Sequence, residues 1–362
     1  MKMIRPMILL LLALLLSACS VEITEVTPVS SPNLLSTPTS ASIAATPLPW
    51  ADLDLIGQLL FFNYEGDMQQ SLVKLDLASG SLTTLFQPPS VARLSDAAVS
   101  PDGTQIVMIY APPAPDQQRP GATGLYLMPA ECASLPEGCG SQAPSLLRQN
   151  AQEWFISPIW SPDGKYIYYA HFVQRDDLSV SDYTIERMAF PDGQSEVVLE
   201  NALWPSLSPD GSKLAYLSFD PANFNQMLKV AETNGANPRL LIPADTFTVI
   251  DDHFFSPDSK TIVFSAPTEF TAAEPSWLEQ LLGVQTASAH SFPSDWWRVS
   301  VTGGPPERLT QISSIGLYGA FAPDGKHIAF IDLDGVYVMN PDGSEILQLL
   351  DITATGMLQW QP

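Results

Sequence analysis

From about residue 55 onward the chain alternates short apolar runs with polar turn residues, at intervals too short for helices. Five runs, at 106–110, 167–169, 214–217, 262–264 and 328–331, are rich in β-branched and aromatic residues, the composition of buried strands. A recurring phrase precedes each: Ser100-Pro101-Asp102-Gly103, Ser161-Pro162-Asp163-Gly164, Ser208-Pro209-Asp210-Gly211, Ser256-Pro257-Asp258-Ser259 and Ala322-Pro323-Asp324-Gly325. Each phrase follows another short apolar stretch, ending in Val99, Trp160, Leu207, Phe255 or Phe321. Proline presets φ for a turn, aspartate accepts hydrogen bonds from the turn backbone, and glycine supplies positive φ. The unit is strand–turn–strand, with Asp102, Asp163, Asp210, Asp258 and Asp324 as its structural turn residues. Ser259, standing where the others have glycine, predicts one turn of slightly different geometry.

The five phrases lie 61, 47, 48 and 66 residues apart. Repeats of this length built from short strands predict a β-propeller. Two further strands follow each pair, for example 227–230 with 239–241, and 336–339 with 346–349. Strands at 59–63, 72–77 and 82–86 lack an inner partner. The C-terminal segment Met357-Leu358-Gln359-Trp360-Gln361-Pro362 resembles Ile159-Trp160-Ser161-Pro162 and supplies it. The expectation is an all-β, six-bladed propeller with four strands per blade over 51–362, its first blade closed by the C-terminal strand.

The N-terminal pattern is different. Lys2 and Arg5 precede an apolar run at 7–16 that is short for a membrane-spanning helix. It ends in Leu16-Ser17-Ala18-Cys19, which resembles a bacterial lipobox. That resemblance implies a signal peptide over 1–18, cleavage before Cys19 and acylation of its thiol, giving an extracytoplasmic protein anchored to the cell membrane (the outer membrane in a host that has one). Residues 19–50, rich in Ser, Thr and Pro, read as a disordered tether. Composition narrows the partners. Only 15% of residues are charged, with 16 Lys+Arg against 39 Asp+Glu and a net charge of −23. Such a surface repels nucleic acid and anionic lipid. The charge and the closed ring predict a monomer.

The Ser-Pro-Asp-Gly phrase followed by an Ile/Tyr/Phe-rich strand resembles the propeller repeat of the TolB family, also found in propeller domains of prolyl oligopeptidase-like peptidases. The resemblance covers 55–362 and implies the fold. It carries turn and core residues, and so it is silent about activity.

Catalytic motifs are sparse. No Gly-x-Ser-x-Gly elbow occurs, so the peptidase chemistry of the second group is not expected. His171, His253, His290 and His327 show no metal-binding spacing. His253, on an inner strand, reads as a structural, hydrogen-bonded histidine, and His327, beside a turn, as a surface residue. Propellers bind at the mouth of the central channel. Three residues back from the apolar residue before each turn phrase lie Met357, Asp96, Ser157, Trp204, Asp252 and Tyr318, with Asp251 adjacent. Aromatics mixed with carboxylates suit a peptide or a sugar. No cofactor is expected, although acidic oxygens there could hold Ca²⁺.

Two insertions break the repeat. The first, 111–143, carries Cys132 and Cys139, which read as a disulfide in an oxidising compartment. The second, 267–295, contains an expected short amphipathic helix over 275–282, and Trp296 and Trp297 after it divide between core and rim. The leading functional reading is a noncatalytic envelope module that binds a protein or peptide partner. The alternative is an extracytoplasmic enzyme or carbohydrate-binding accessory protein using the channel mouth.

Overall fold

The computed structural model describes residues 48–65, 69–130, 144–150, 152–174, 183–221, 225–267 and 292–362. Cys19, Cys132, Cys139, His290 and the helix expected over 275–282 lie outside the described residues.

After a 3-10 turn at Ala51–Leu53, twenty-four strands form six four-stranded antiparallel sheets, the blades. Blade 1 holds β1 (Gln58–Glu65), β2 (Gln69–Asp76) and β3 (Leu82–Phe86). Blade 2 is β4 (Arg93–Val99), β5 (Gln105–Ala111), β6 (Gly124–Pro129) and β7 (Ser145–Arg148). Blade 3 is β8 (Glu153–Trp160), β9 (Tyr166–Val173), β10 (Thr184–Ala189) and β11 (Ser195–Glu200). Blade 4 is β12 (Leu203–Leu207), β13 (Lys213–Phe219), β14 (Gln226–Glu232) and β15 (Arg239–Ile242). Blade 5 is β16 (His253–Phe255), β17 (Thr261–Ala266), β18 (Asp295–Ser300) and β19 (Glu307–Arg308). Blade 6 is β20 (Tyr318–Phe321), β21 (Ile328–Asp332), β22 (Gly335–Met339) and β23 (Leu347–Leu350). The last strand, β24 (Ala354–Gln361), pairs with β1 and completes blade 1 from the other end of the chain. The expected six-bladed architecture and its closure are both present.

The second strand of a blade lies between neighbouring blades, so both of its faces are apolar. Accordingly β5, β13, β17 and β21 are buried along almost their whole length, whereas the fourth strands β7 and β11 are largely exposed. The described residues have no single core. They have six apolar clusters, each filling one of the six wedges between adjacent blades. Trp296 is fully buried in the wedge between blades 5 and 6, and Trp297 packs half-buried against Phe247 on the side of blade 4.

The turn phrase explains its own composition. Ser100 Oγ donates to Asp102 Oδ1 (2.6 Å) and accepts from Gln105 N (3.0 Å), while Asp102 Oδ1 accepts from Thr104 N (3.1 Å). The turns at Ser161, Ser208 and Ser256 repeat these bonds. In blade 6 Ala322 has no hydroxyl, and the turn keeps its backbone bonds and the aspartate bond, Asp324 Oδ1 accepting from Lys326 N (3.0 Å).

The turn at Ser259 differs slightly, as expected: its φ is 59° against 70–73° for Gly103, Gly164, Gly211 and Gly325, while its N–H donates to Ser256 O at 2.8 Å as the glycines' do. A left-handed serine costs roughly 1–2 kcal/mol. In partial return, its Oγ accepts from Asp210 N (3.2 Å) and links the turns of blades 4 and 5.

Closure is fixed by side chains as well as by strand pairing. Trp360 Nε1 donates to Ile56 O (2.9 Å). The Gln359 amide accepts from Val99 N (2.9 Å) and donates to Val99 O (3.1 Å), joining blade 1 to blade 2 as a missing strand would. Trp50, expected in the tether, is buried, and its Nε1 donates to Leu77 O (2.8 Å).

Candidate functional site

The six innermost strands, β24, β4, β8, β12, β16 and β20, converge on a central cavity of about 710 Å³. All seven sequence-derived mouth residues line it: Asp96, Ser157, Trp204, Asp251, Asp252, Tyr318 and Met357. Adjacent blades follow chain order around the ring, so each blade faces the one three places on. Asp96 therefore stands opposite Asp251 and Asp252, Trp204 opposite Met357, and Ser157 opposite Tyr318.

The local backbone places these side chains. In four of the six inner strands the pairing register slips at this level, between Leu94 and Asp96, Ile156 and Ile159, Leu203 and Ser206, and opposite Phe61 and Phe62 where β24 contributes Gly356 and Met357. A bulge re-aims a side chain that regular alternation would direct elsewhere. Ser157 and Trp204 have φ of 50° and 49°, and Gly356 has 95°. Left-handed non-glycine residues persist only where the surroundings hold them. Pro158 and Pro205 follow the two strained residues. An inner strand is the channel-side edge of its sheet, where proline deprives no neighbouring strand of a donor.

The electrostatics are one-sided. Among the described residues lining the cavity, the charged side chains are Asp96, Asp251 and Asp252, and no lysine or arginine is present. Asp252 is held firmly, its Oδ2 accepting from Gly319 N (2.7 Å) and its N–H donating to Ser265 Oγ (3.1 Å). Burial, then the carboxylates of Asp251, Asp96 and Asp252, push the Tyr318 phenol well above its usual range, so it stays protonated. His253 is buried in the wall, and burial lowers its pKa to about 4 against the pull of the Ala215 and Trp204 backbone. The ring lies against the Ala215 and Trp204 backbone as a buried wall residue, with neither nitrogen making a bond of full geometry. Among the described residues no three or more His, Cys, Asp or Glu side chains form a metal-ligating group.

One polar cluster was invisible in the sequence. Arg148 Nη1 contacts Glu186 Oε2 (2.5 Å), and its Nη2 contacts Glu153 Oε2 (3.3 Å). His171 Nδ1 meets Glu186 Oε1 (2.8 Å), Nε2 lies 3.4 Å from Glu153 Oε2, and Tyr169 OH donates to Ser195 Oγ (2.9 Å). Burial would raise the Glu186 pKa, but hydrogen bonds from His171 and Arg148 outweigh it and bring the carboxyl down to about 2. The cluster joins β7 of blade 2 to blade 3 and away from the cavity lining. Its one sequence signal is a set of ionisable residues in otherwise apolar strands. His327 sits half-buried beside its turn.

No family model and no curated protein matches the chain. Solved structures do. TolB from Acinetobacter baumannii aligns with a TM-score of 0.57 at 12% identity over 83% of this chain, which spans 66% of the TolB chain, just under two thirds of its length. A protein provisionally named TolB from Agrobacterium tumefaciens gives 0.56 at 16% identity, covering 85% of this chain and 99% of that one. A chain of the nidogen/laminin complex gives 0.55 at 12% identity, covering 83% and 98%. The fold is that of the TolB-type six-bladed propeller.

Proposed function

We propose that this chain is a noncatalytic binding module of the cell envelope, whose channel mouth takes an extended segment of a protein partner. The observation that carries the reading is the convergence of four bulged inner strands on one 710 Å³ cavity, with aromatic, hydroxyl and carboxylate groups at matched positions around the ring. Two left-handed residues, Ser157 and Trp204, store backbone strain there, a usual mark of functional sites. A structural neighbour solved within the nidogen/laminin complex shows a chain of similar fold in a protein–protein assembly. We further propose that acylation of Cys19 anchors a monomeric protein outside the cytoplasm, with 19–50 as its tether. Labelled fatty acid should enter the wild type and fail to enter Cys19→Ala, which should move to the soluble fraction.

Channel binding is tested by staining a bead library of random octapeptides with the fluorescently labelled protein. The expected hits bind the wild type and an outer-strand Leu240→Ala variant alike, and lose binding in Ser157→Trp, whose indole would occupy the cavity. Hits indifferent to Ser157→Trp would overturn the reading. Turnover of a glycan or peptide that Asp252→Ala abolishes would establish the enzyme alternative instead.

A further inference from the structure

Resting on the peptide-binding reading above, we propose that the channel mouth selects a cationic side chain, lysine or arginine, carried on the partner's extended segment. The charged groups of the described lining are all carboxylates, and they come from facing blades: Asp96 from blade 2, Asp251 and Asp252 from blade 5. A cation on the channel axis is thus flanked by negative charge from two sides. The Gly319 N–H that Asp252 accepts orients the carboxylate without cancelling its charge.

A second diameter of the ring is set by Trp204 and Met357, also on facing blades. A lysine or arginine has an aliphatic stem that packs on such groups, and a charged head that is attracted to an indole face.

The wall of the same cavity also contains His253, only 5% exposed, with the backbone of Ala215 and Trp204 beside its ring. Its lowered pKa keeps it neutral at pH 7, so it adds no positive charge that would repel a cation. A Glu or Asp side chain meets the opposite situation, since it would enter a site holding three carboxylates and no cation among the described lining residues. The net charge of −23 draws basic segments toward the molecule at long range. A metal ion fits less well, because the described residues form no metal-ligating group.

The test uses four bead pools of octapeptides whose fourth residue is fixed as lysine, arginine, norleucine or glutamate, stained with the full-chain protein. Norleucine keeps the lysine stem and removes its charge. Hits should concentrate in the lysine and arginine pools by about tenfold, and their affinity should fall as salt rises from about 50 to 500 mM. Asp96→Asn and Asp252→Asn should each weaken a recovered lysine peptide by about fivefold or more, with the melting temperature unchanged. Asparagine retains a side-chain oxygen to accept the Gly319 N–H. Norleucine peptides bound as tightly, yet lost in Ser157→Trp, would overturn charge selection and leave peptide binding standing. If no pool yields binding that Ser157→Trp removes, the peptide-binding reading itself fails. Spermidine binding as tightly as the best lysine peptide would show that the ligand is a free polyamine and overturn the peptide-borne form.

Discussion

At the scale of single residues, positive φ separates two uses of strain. Gly103 sits at φ 72° with nothing within 4 Å of where a Cβ would stand. Gly103→Ala therefore meets only the conformational penalty and should cost ~1 kcal/mol in urea denaturation. Gly319 is the opposite case. Its φ is unexceptional, but a Cβ would lie 2.6 Å from the Phe254 ring and 2.9 Å from Trp296. Gly319→Ala should cost ~1–3 kcal/mol by overpacking the wedge between blades 5 and 6. Glu186 makes stability depend on pH. Its folded pKa of about 2 lies below the ordinary 4.5, so its contribution is present above pH 4.5 and is lost as pH falls toward 2. By linkage that contribution is ~3 kcal/mol. Chemical denaturation of the wild type at pH 7 and pH 3 should show the loss, and Glu186→Gln should flatten it while lowering stability at pH 7. An unchanged pH slope in Glu186→Gln would remove the cluster from the account.

At the scale of elements, the turn phrase supplies an internal comparison, because blade 6 carries Ala322 where four blades carry serine. Ser161→Ala should remove two hydrogen bonds and cost ~1–2 kcal/mol, and Ala322→Ser should gain up to ~1 kcal/mol by restoring them. Thermal melts of the two variants should move in opposite directions. The elements also show what was legible in the sequence and why. The second strands were plain because neighbouring blades bury both their faces, leaving continuous apolar runs such as Ile106-Val107-Met108-Ile109-Tyr110. The turns were plain because each residue of the phrase has a local hydrogen-bonding task. What local chemistry does not reveal at Ser259 is the bond from Asp210, 49 positions away in sequence, that supports a backbone glycine usually adopts. Six of the seven cavity residues could be counted from the turn phrase, with Asp251 beside one of them, because all six inner strands run inward at one level. Their bulges could not, since a register slip is a property of two paired strands. The Arg148–Glu186–His171 cluster escaped for the same reason: its members, with Glu153, Tyr169 and Ser195, lie on five strands from two blades.

At the scale of the whole molecule, the ring has no centre to pack. Stability comes from six wedges, and each blade depends on both neighbours, so the seam where the two chain ends meet governs the rest. Removal of residues 354–362 would take away β24, expose the paired edge of β1 and unpack the wedge between blades 6 and 1. The truncated chain should aggregate or lose its cooperative melt, whereas Ile346→Ala on the exposed rim should melt within a degree or two of the wild type. What the ring leaves at its axis is a cavity of about 710 Å³ lined by all six inner strands.

On the function proposed above, this axis is where a partner segment binds. Its most direct measurement is photocrosslinking from defined positions: benzoylphenylalanine placed at Ser157 in the cavity, or at Leu240 on the outer strand of blade 4, with a recovered octapeptide as ligand. The account predicts an adduct from Ser157 and none from Leu240. An adduct from Leu240 alone would place binding on the rim and contradict it.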